Sequence, residues 1–164
     1  MLRQLIRHLR RPITVGLSFN EKPHKLGESI DVTVELTPRR DLTLRQARVD
    51  LICEESYAES YTKKTPIRYK TGILKRTEAE LIDVVSEQVV KEFKESLVHS
   101  SQVFIENRDL TAGKVSTFPA RLSVKREPPP HASGGKLKWM VAAVAEIHGE
   151  EHTSKPQRIE VALD

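Results

Sequence analysis

The side chains of this 164-residue chain best suited to chemistry are six histidines, a single cysteine and a few neighbouring carboxylates. His148 and His152 stand four apart, the spacing by which a helix offers two imidazoles to one metal ion. Gly149 lies between them, Glu150 and Glu151 follow, and no third ligand is signalled, so a solvated turn is the better reading. His8, His24, His99 and His131 are dispersed. Cys53 could act as a nucleophile beside a histidine brought from elsewhere. It shares the parity of Val49 and Leu51, however, which predicts an inward-facing, unreactive thiol. Glu54 and Glu55 cannot serve as an acid/base pair, because successive residues of a strand point to opposite faces. One is expected at the surface and the other in a paired position. Gly134-Gly135-Lys136 lacks the spaced glycines and the following Ser or Thr of a phosphate-cradling loop. No cofactor and no metal site is expected.

Arginine forms the remaining candidate site. Arg3, Arg7, Arg10 and Arg11 lie largely off a stripe made by Leu2, Leu5, Ile6 and Leu9, so residues 1–12 read as a short amphipathic helix. Such a helix can rest on an anionic surface, or it can pack on an open end of the domain and cover an edge. The segment has neither the continuous apolar run nor the cleavage site of a secretory signal.

The elements that hold these residues are strands. Ile13, Val15, Leu17 and Phe19 alternate with small and polar residues. After Gly27, the residues Ile30, Val32, Val34 and Leu36 alternate with Asp31, Thr33, Glu35 and Thr37. Leu42 and Leu44 are followed by Ala47, Val49, Leu51 and Cys53 in opposite parity, which predicts a bulge near Arg45 and Gln46. Further runs are Phe118 to Val124, Leu137 to Ile147, and Ile159 to Leu163 as the last strand, with Trp139 in the core. Pro128 to Gly135 is an irregular connection. Thr77 to Ile105 is ambiguous: a Thr77 to Glu80 capping pattern and the spacing of Ile82, Val85, Val89, Phe93 and Leu97 read as helix, whereas Val89, Phe93, Leu97 and Val103 also fit one face of a long strand. With no repeated helix between strands, a parallel α/β sheet is excluded and an all-β, immunoglobulin-like antiparallel sandwich is expected over residues 13–164 as one domain.

Net charge is only +4, and aromatic residues are 5% of the chain. That is too little, too scattered, for the basic stripe with stacking platforms of a nucleic-acid binder. The lone cysteine excludes an internal disulfide, and the longest apolar stretch, Trp139 to Ala145, is far short of a membrane span. A cytoplasmic location is the expectation.

The order of motifs resembles the arrestin-like fold, including the bacterial sporulation-control group. Lys25-Leu26-Gly27-Glu28-Ser29-Ile30 is similar to the turn that opens the second strand in that family, and it leads to a strand ending Leu51-Ile52-Cys53-Glu54-Glu55. The late run Pro128-Pro129-Pro130-His131-Ala132-Ser133-Gly134-Gly135-Lys136-Leu137-Lys138-Trp139 is similar to its proline-glycine descent into an aromatic-bearing strand. The chain departs from the pattern at Pro130-His131, where the family often has a serine, and at Lys125-Arg126-Glu127, where it often has a proline. The charged cluster by which visual arrestins sense phosphate has no counterpart among these residues. The resemblance implies arrestin-like topology and β structure for Glu87 to Ile105. A complete sandwich with no convergent polar constellation is expected to have a non-catalytic role, binding a protein partner as adaptor, scaffold or regulator. The alternative is a peripheral membrane or polyanion binder acting through Arg3, Arg7, Arg10 and Arg11, and a small hydrolase is the third.

Overall fold

In a computed structural model the described residues are 11–70, 80–130 and 135–164, and all regular structure among them is β. The strands are β1 (Ile13–Phe19), β2 (His24–Lys25), β3 (Ser29–Pro38), β4 (Leu42–Lys70), β5 (Glu80–Leu110), β6 (Ser116–Ser123), β7 (Lys136–Ile147), β8 (Glu150–Thr153), β9 (Gln157–Ile159) and β10 (Val161–Ala162). They form two layers. One sheet runs β1-β3-β6, the other β5-β4-β7-β8 with β9 also on β7, and a small parallel pair joins β10 to β2. The residues at 1–10, with Arg3, Arg7 and Arg10 and the expected helix, lie outside the described residues, as do Thr77 and Gly134.

Alternation produces the core. Ile30, Val32, Val34 and Leu36 of β3 are buried and face Leu44, Val49, Leu51 and Val141 of the second sheet, with Leu122 and Trp139. Burying such side chains contributes about 1.5–3 kcal/mol each, which fixes register, since a slip of one residue would turn every apolar side chain outward. Gly27 is required by the turn into β3: its φ is +87°, its N–H donates to the Val124 carbonyl at 2.9 Å, and Val124 donates back to the Glu28 carbonyl at 2.8 Å. Only glycine takes that backbone conformation without strain. His148 (φ 51°) and Gly149 (φ 79°) make the two-residue turn between β7 and β8, the positive-φ pair that a tight hairpin demands.

The stretch from Glu80 is strand, as the resemblance implies for Glu87 to Ile105: it is paired with β4 from Lys70↔Glu80 down to Leu42↔Leu110, so of the two readings of that span the helical one loses to cross-strand pairing. Three expectations need correction. The parity of β4 does switch between buried Leu44 and buried Ala47, opposite Asn107 with its φ of 47°, but the pairing register carries through that point. The register shifts fall after Ala47 and after Leu51, and the extra residues are Phe104 and His99 of β5. The His99 bulge inverts parity: Leu97 lies opposite inward-facing Cys53, whereas Val103 lies opposite Arg48 on the other face. Val89, Phe93, Leu97 and Val103 therefore do not share one face. Finally, the last run is two strands broken at Glu160, because β9 joins β7 while β10 joins β2.

The pairing of β4 with β7 ends at Ser56↔Lys136, yet β4 and β5 continue together for a further fourteen residues as a two-stranded arm beyond the body.

Candidate functional site

Bulges re-aim side chains, and both here turn a ring inward. His99 is 4% exposed, its Nε2 accepts the Lys125 N–H at 3.1 Å, and it meets Trp139 edge-on with centroids 5.0 Å apart. Burial pushes its pKa down, so it is a neutral ring whose proton sits on Nδ1. Phe104 lies 6.1 Å from Phe118 of β6 and closes that side of the sandwich. Cys53 is buried at the register position of Trp139, and burial first, then Glu55, raises its thiol pKa. A protonated, buried thiol is not a nucleophile. Glu55 is buried and Glu54 half-buried, so neither is the surface residue expected. Lys136 opens β7 rather than a helix, which removes the geometry of a phosphate loop. A cleft of about 450 Å³ is an open mixture of charges in which Glu21 and Glu160 stand against Lys22 and Arg158.

Among the described residues the opposite side of the sandwich stays open. There β1 and β8, the terminal strands of the two sheets, flank a groove of about 250 Å³ whose lining among the described residues includes Arg11, Ile13, Val15, Arg39, His152 and Lys155 and no carboxylate. Arg11 is the one sequence-predicted arginine among the described residues, and the fold sets it beside Arg39 and Lys155. Gln157 donates to the outward Leu17 carbonyl at 2.6 Å, and Arg39 donates to the Pro12 carbonyl on the β3 side at 2.8 Å. Backbone groups alternate in direction along an antiparallel strand. The N–H and C=O of Ile13 and Val15 therefore point into the groove. His152 lies opposite Ala145 on the inner face, and its Nε2 is shielded from solvent without a hydrogen-bond partner among the described residues.

The β8 wall is held by a polar network across the outer face of the second sheet. Ser101 Oγ donates to Asp50 at 2.6 Å, Arg48 Nε reaches both Asp50 oxygens at 3.2 Å, and Arg48 donates to Glu151 of β8 at 2.8 Å. The Glu151 bond is the main cause that raises the Arg48 pKa, and the guanidinium in turn holds the Glu151 carboxyl below its ordinary range. At the end of β8, Ser154 continues the ladder: its N–H donates to the Ala143 carbonyl and its hydroxyl accepts the Ala143 N–H.

With two facing sheets, a glycine turn at Gly27 and a proline run into the Trp139 strand, the topology can be set against known proteins. The structure is similar to the crystal structure of Spo0M, a sporulation control protein from Bacillus subtilis, with a TM-score of 0.52 over 92% of this chain. The fold is arrestin-like. Identity is 14%, and the match covers 49% of the Spo0M chain, so this arrestin-like chain spans about half the length of that structure. No family model and no curated protein matches. Among the described residues of this arrestin-like chain no helix is long and apolar enough to cross a membrane, and no group of three or more His, Cys, Asp or Glu is disposed to hold a metal ion.

Sequence reasoning missed the groove because its parts are remote. Arg39 lies in the turn after β3, Lys155 follows β8, and only closure of the sandwich brings them to Arg11.

Proposed function

We propose that this protein is a non-catalytic interaction module of arrestin-like type that binds an extended, acidic segment of a protein partner along β1. The observation that supports it is the edge of Ile13 and Val15, unpaired among the described residues and set between Arg11, Arg39 and Lys155. Strand addition at such an edge draws affinity from backbone hydrogen bonds, and a basic rim selects carboxylates and speeds their encounter. The regulatory role carried by Spo0M is compatible with this reading. Arg11 serves the groove in this reading rather than a membrane surface.

The test is fluorescence anisotropy with two labelled peptides, one alternating Glu with Val and the other alternating Lys with Val. The acidic peptide should bind and the basic one should not. Arg11→Glu with Lys155→Glu should abolish binding, and Val15→Pro should do so by deleting one edge N–H, a change that edge strands tolerate. Equal binding of both peptides, or undiminished binding by Val15→Pro, refutes the proposal. Anionic-vesicle binding that survives Arg11→Glu with Lys155→Glu would instead favour a membrane role for residues 1–12.

A further inference from the structure

The floor of the β1 groove carries a polar atom that the fold itself does not use. His152 lies opposite Ala145 on the inner face of the second sheet, and its Nε2 is shielded from solvent with no hydrogen-bond partner among the described residues. His99 shows what a buried imidazole otherwise does, since its Nε2 accepts the Lys125 N–H at 3.1 Å. A shielded polar atom left without a partner costs stability, and native folds keep few of them, so each calls for an explanation. For His152 the explanation lies in the groove, whose lining it shares with Ile13 and Val15.

The strand register shows which residue of an added strand would meet it. Gln157 lies opposite Val141 and bonds the Leu17 carbonyl, which ties the two sheets at that level. His152 is opposite Ala145, four residues farther along β7, and Ile13 is four residues back along β1. Packed sheets keep their strands within about 30° of one another, so His152 and Ile13 stand at one level of the groove. A strand added to β1 places one residue directly opposite Ile13, and directly opposed residues share a face. Ile13 is 1% exposed and faces inward. The added side chain opposite it therefore points at His152. Its neighbours two residues away share the inward face, one toward Arg11 and the other toward Lys155.

The chemistry of the middle position follows. Arg11, Arg39 and Lys155 repel an ammonium group, and a carboxylate loses more than a neutral group on entering a site shielded from water. A hydroxyl both donates and accepts, so it satisfies either tautomer of the ring. We infer, on the reading that a partner adds a strand to β1, that His152 is a specificity-determining residue of the groove: its Nε2 selects a Ser or Thr hydroxyl opposite Ile13, between acidic residues two positions away on each side.

Fluorescence anisotropy with the labelled peptide Val-Glu-Val-Ser-Val-Glu-Val, and with its counterpart carrying Ala for Ser, tests it. A slip of two residues would forfeit one carboxylate from the basic rim, which holds the register. Wild type should bind the Ser peptide about tenfold more tightly, as one hydrogen bond to an otherwise bare group provides. His152→Leu should bind the Ala peptide as wild type does and the Ser peptide no better. His152→Gln, whose amide still makes a hydrogen bond, should keep the preference for Ser. Circular dichroism reports whether each variant is folded. A Ser preference that survives His152→Leu, or a loss of both peptides in step as a merely structural role would give, overturns the inference. Equal binding of the two peptides by wild type, in an interaction that Val15→Pro abolishes, also overturns it and leaves strand addition standing. If neither peptide binds wild type, strand addition falls and the role of His152 with it.

Discussion

Replacing Arg48 with Met removes the cation that compensates a buried carboxylate. Asp50 is 5% exposed and takes three hydrogen bonds, two from Arg48 Nε and one from Ser101. After the change only Ser101 remains. Leaving a buried charge without its partner costs about 2–4 kcal/mol, a large part of the 5–15 kcal/mol expected for a domain. At this chain length that corresponds to a fall in Tm of roughly 10 °C. Asp50→Leu should cost less, about 1 kcal/mol, because Arg48 is 23% exposed and keeps Glu151. Arg48→Met with Asp50→Leu deletes both charges above Ala142 and Val144, which lie buried at the same register positions of β7. The double variant should be less destabilised than Arg48→Met alone, with a coupling energy of about 2 kcal/mol in a double-mutant cycle. Urea unfolding with an unchanged slope measures all three. Amides of β8 should also exchange faster in Arg48→Met, since the tie to Glu151 goes with it. An Arg48→Met variant within about 0.5 kcal/mol of wild type, or strictly additive single changes, would refute the assignment of Asp50 as a carboxylate dependent on Arg48.

Two further outcomes are expected. Gly27→Ala forces alanine to a φ of +87° and brings its Cβ within 3.1 Å of Arg126 Cγ, a flexible side chain that can move. The loss should therefore be mainly conformational, about 1–2 kcal/mol, visible as a lowered urea midpoint. Burial lowers the pKa of both His24 and His99 below the ordinary 6.5. The unfolded chain then takes up protons first, so their contribution is intact above that pH and is lost as pH falls through 6.5 toward the folded values. Melting scans across this window should show a decline that His24→Gln with His99→Gln flattens, and an equal slope in both proteins would count against neutral buried histidines.

The sequence alone determined the sandwich and most of its strands, because side-chain alternation is a local property: Ile30 to Leu36 and Leu137 to Ile147 carry their buried face in their spacing. It also determined the turn at Gly27 and the burial of Cys53 and Trp139, since parity settles which way each points. What it left open were features decided by contact between distant segments. Val85 to Leu97 had helical spacing and became strand because β4 lies opposite and satisfies its backbone. The bulges at His99 and Phe104 carry no local signature, as an extra residue is extra only relative to its partner strand. Arg11, Arg39 and Lys155 are three ordinary surface cations in the sequence. The tertiary structure alone gathers them, because a sandwich closed on one side by Phe104 and Phe118 must leave its β1 and β8 edges facing each other on the other.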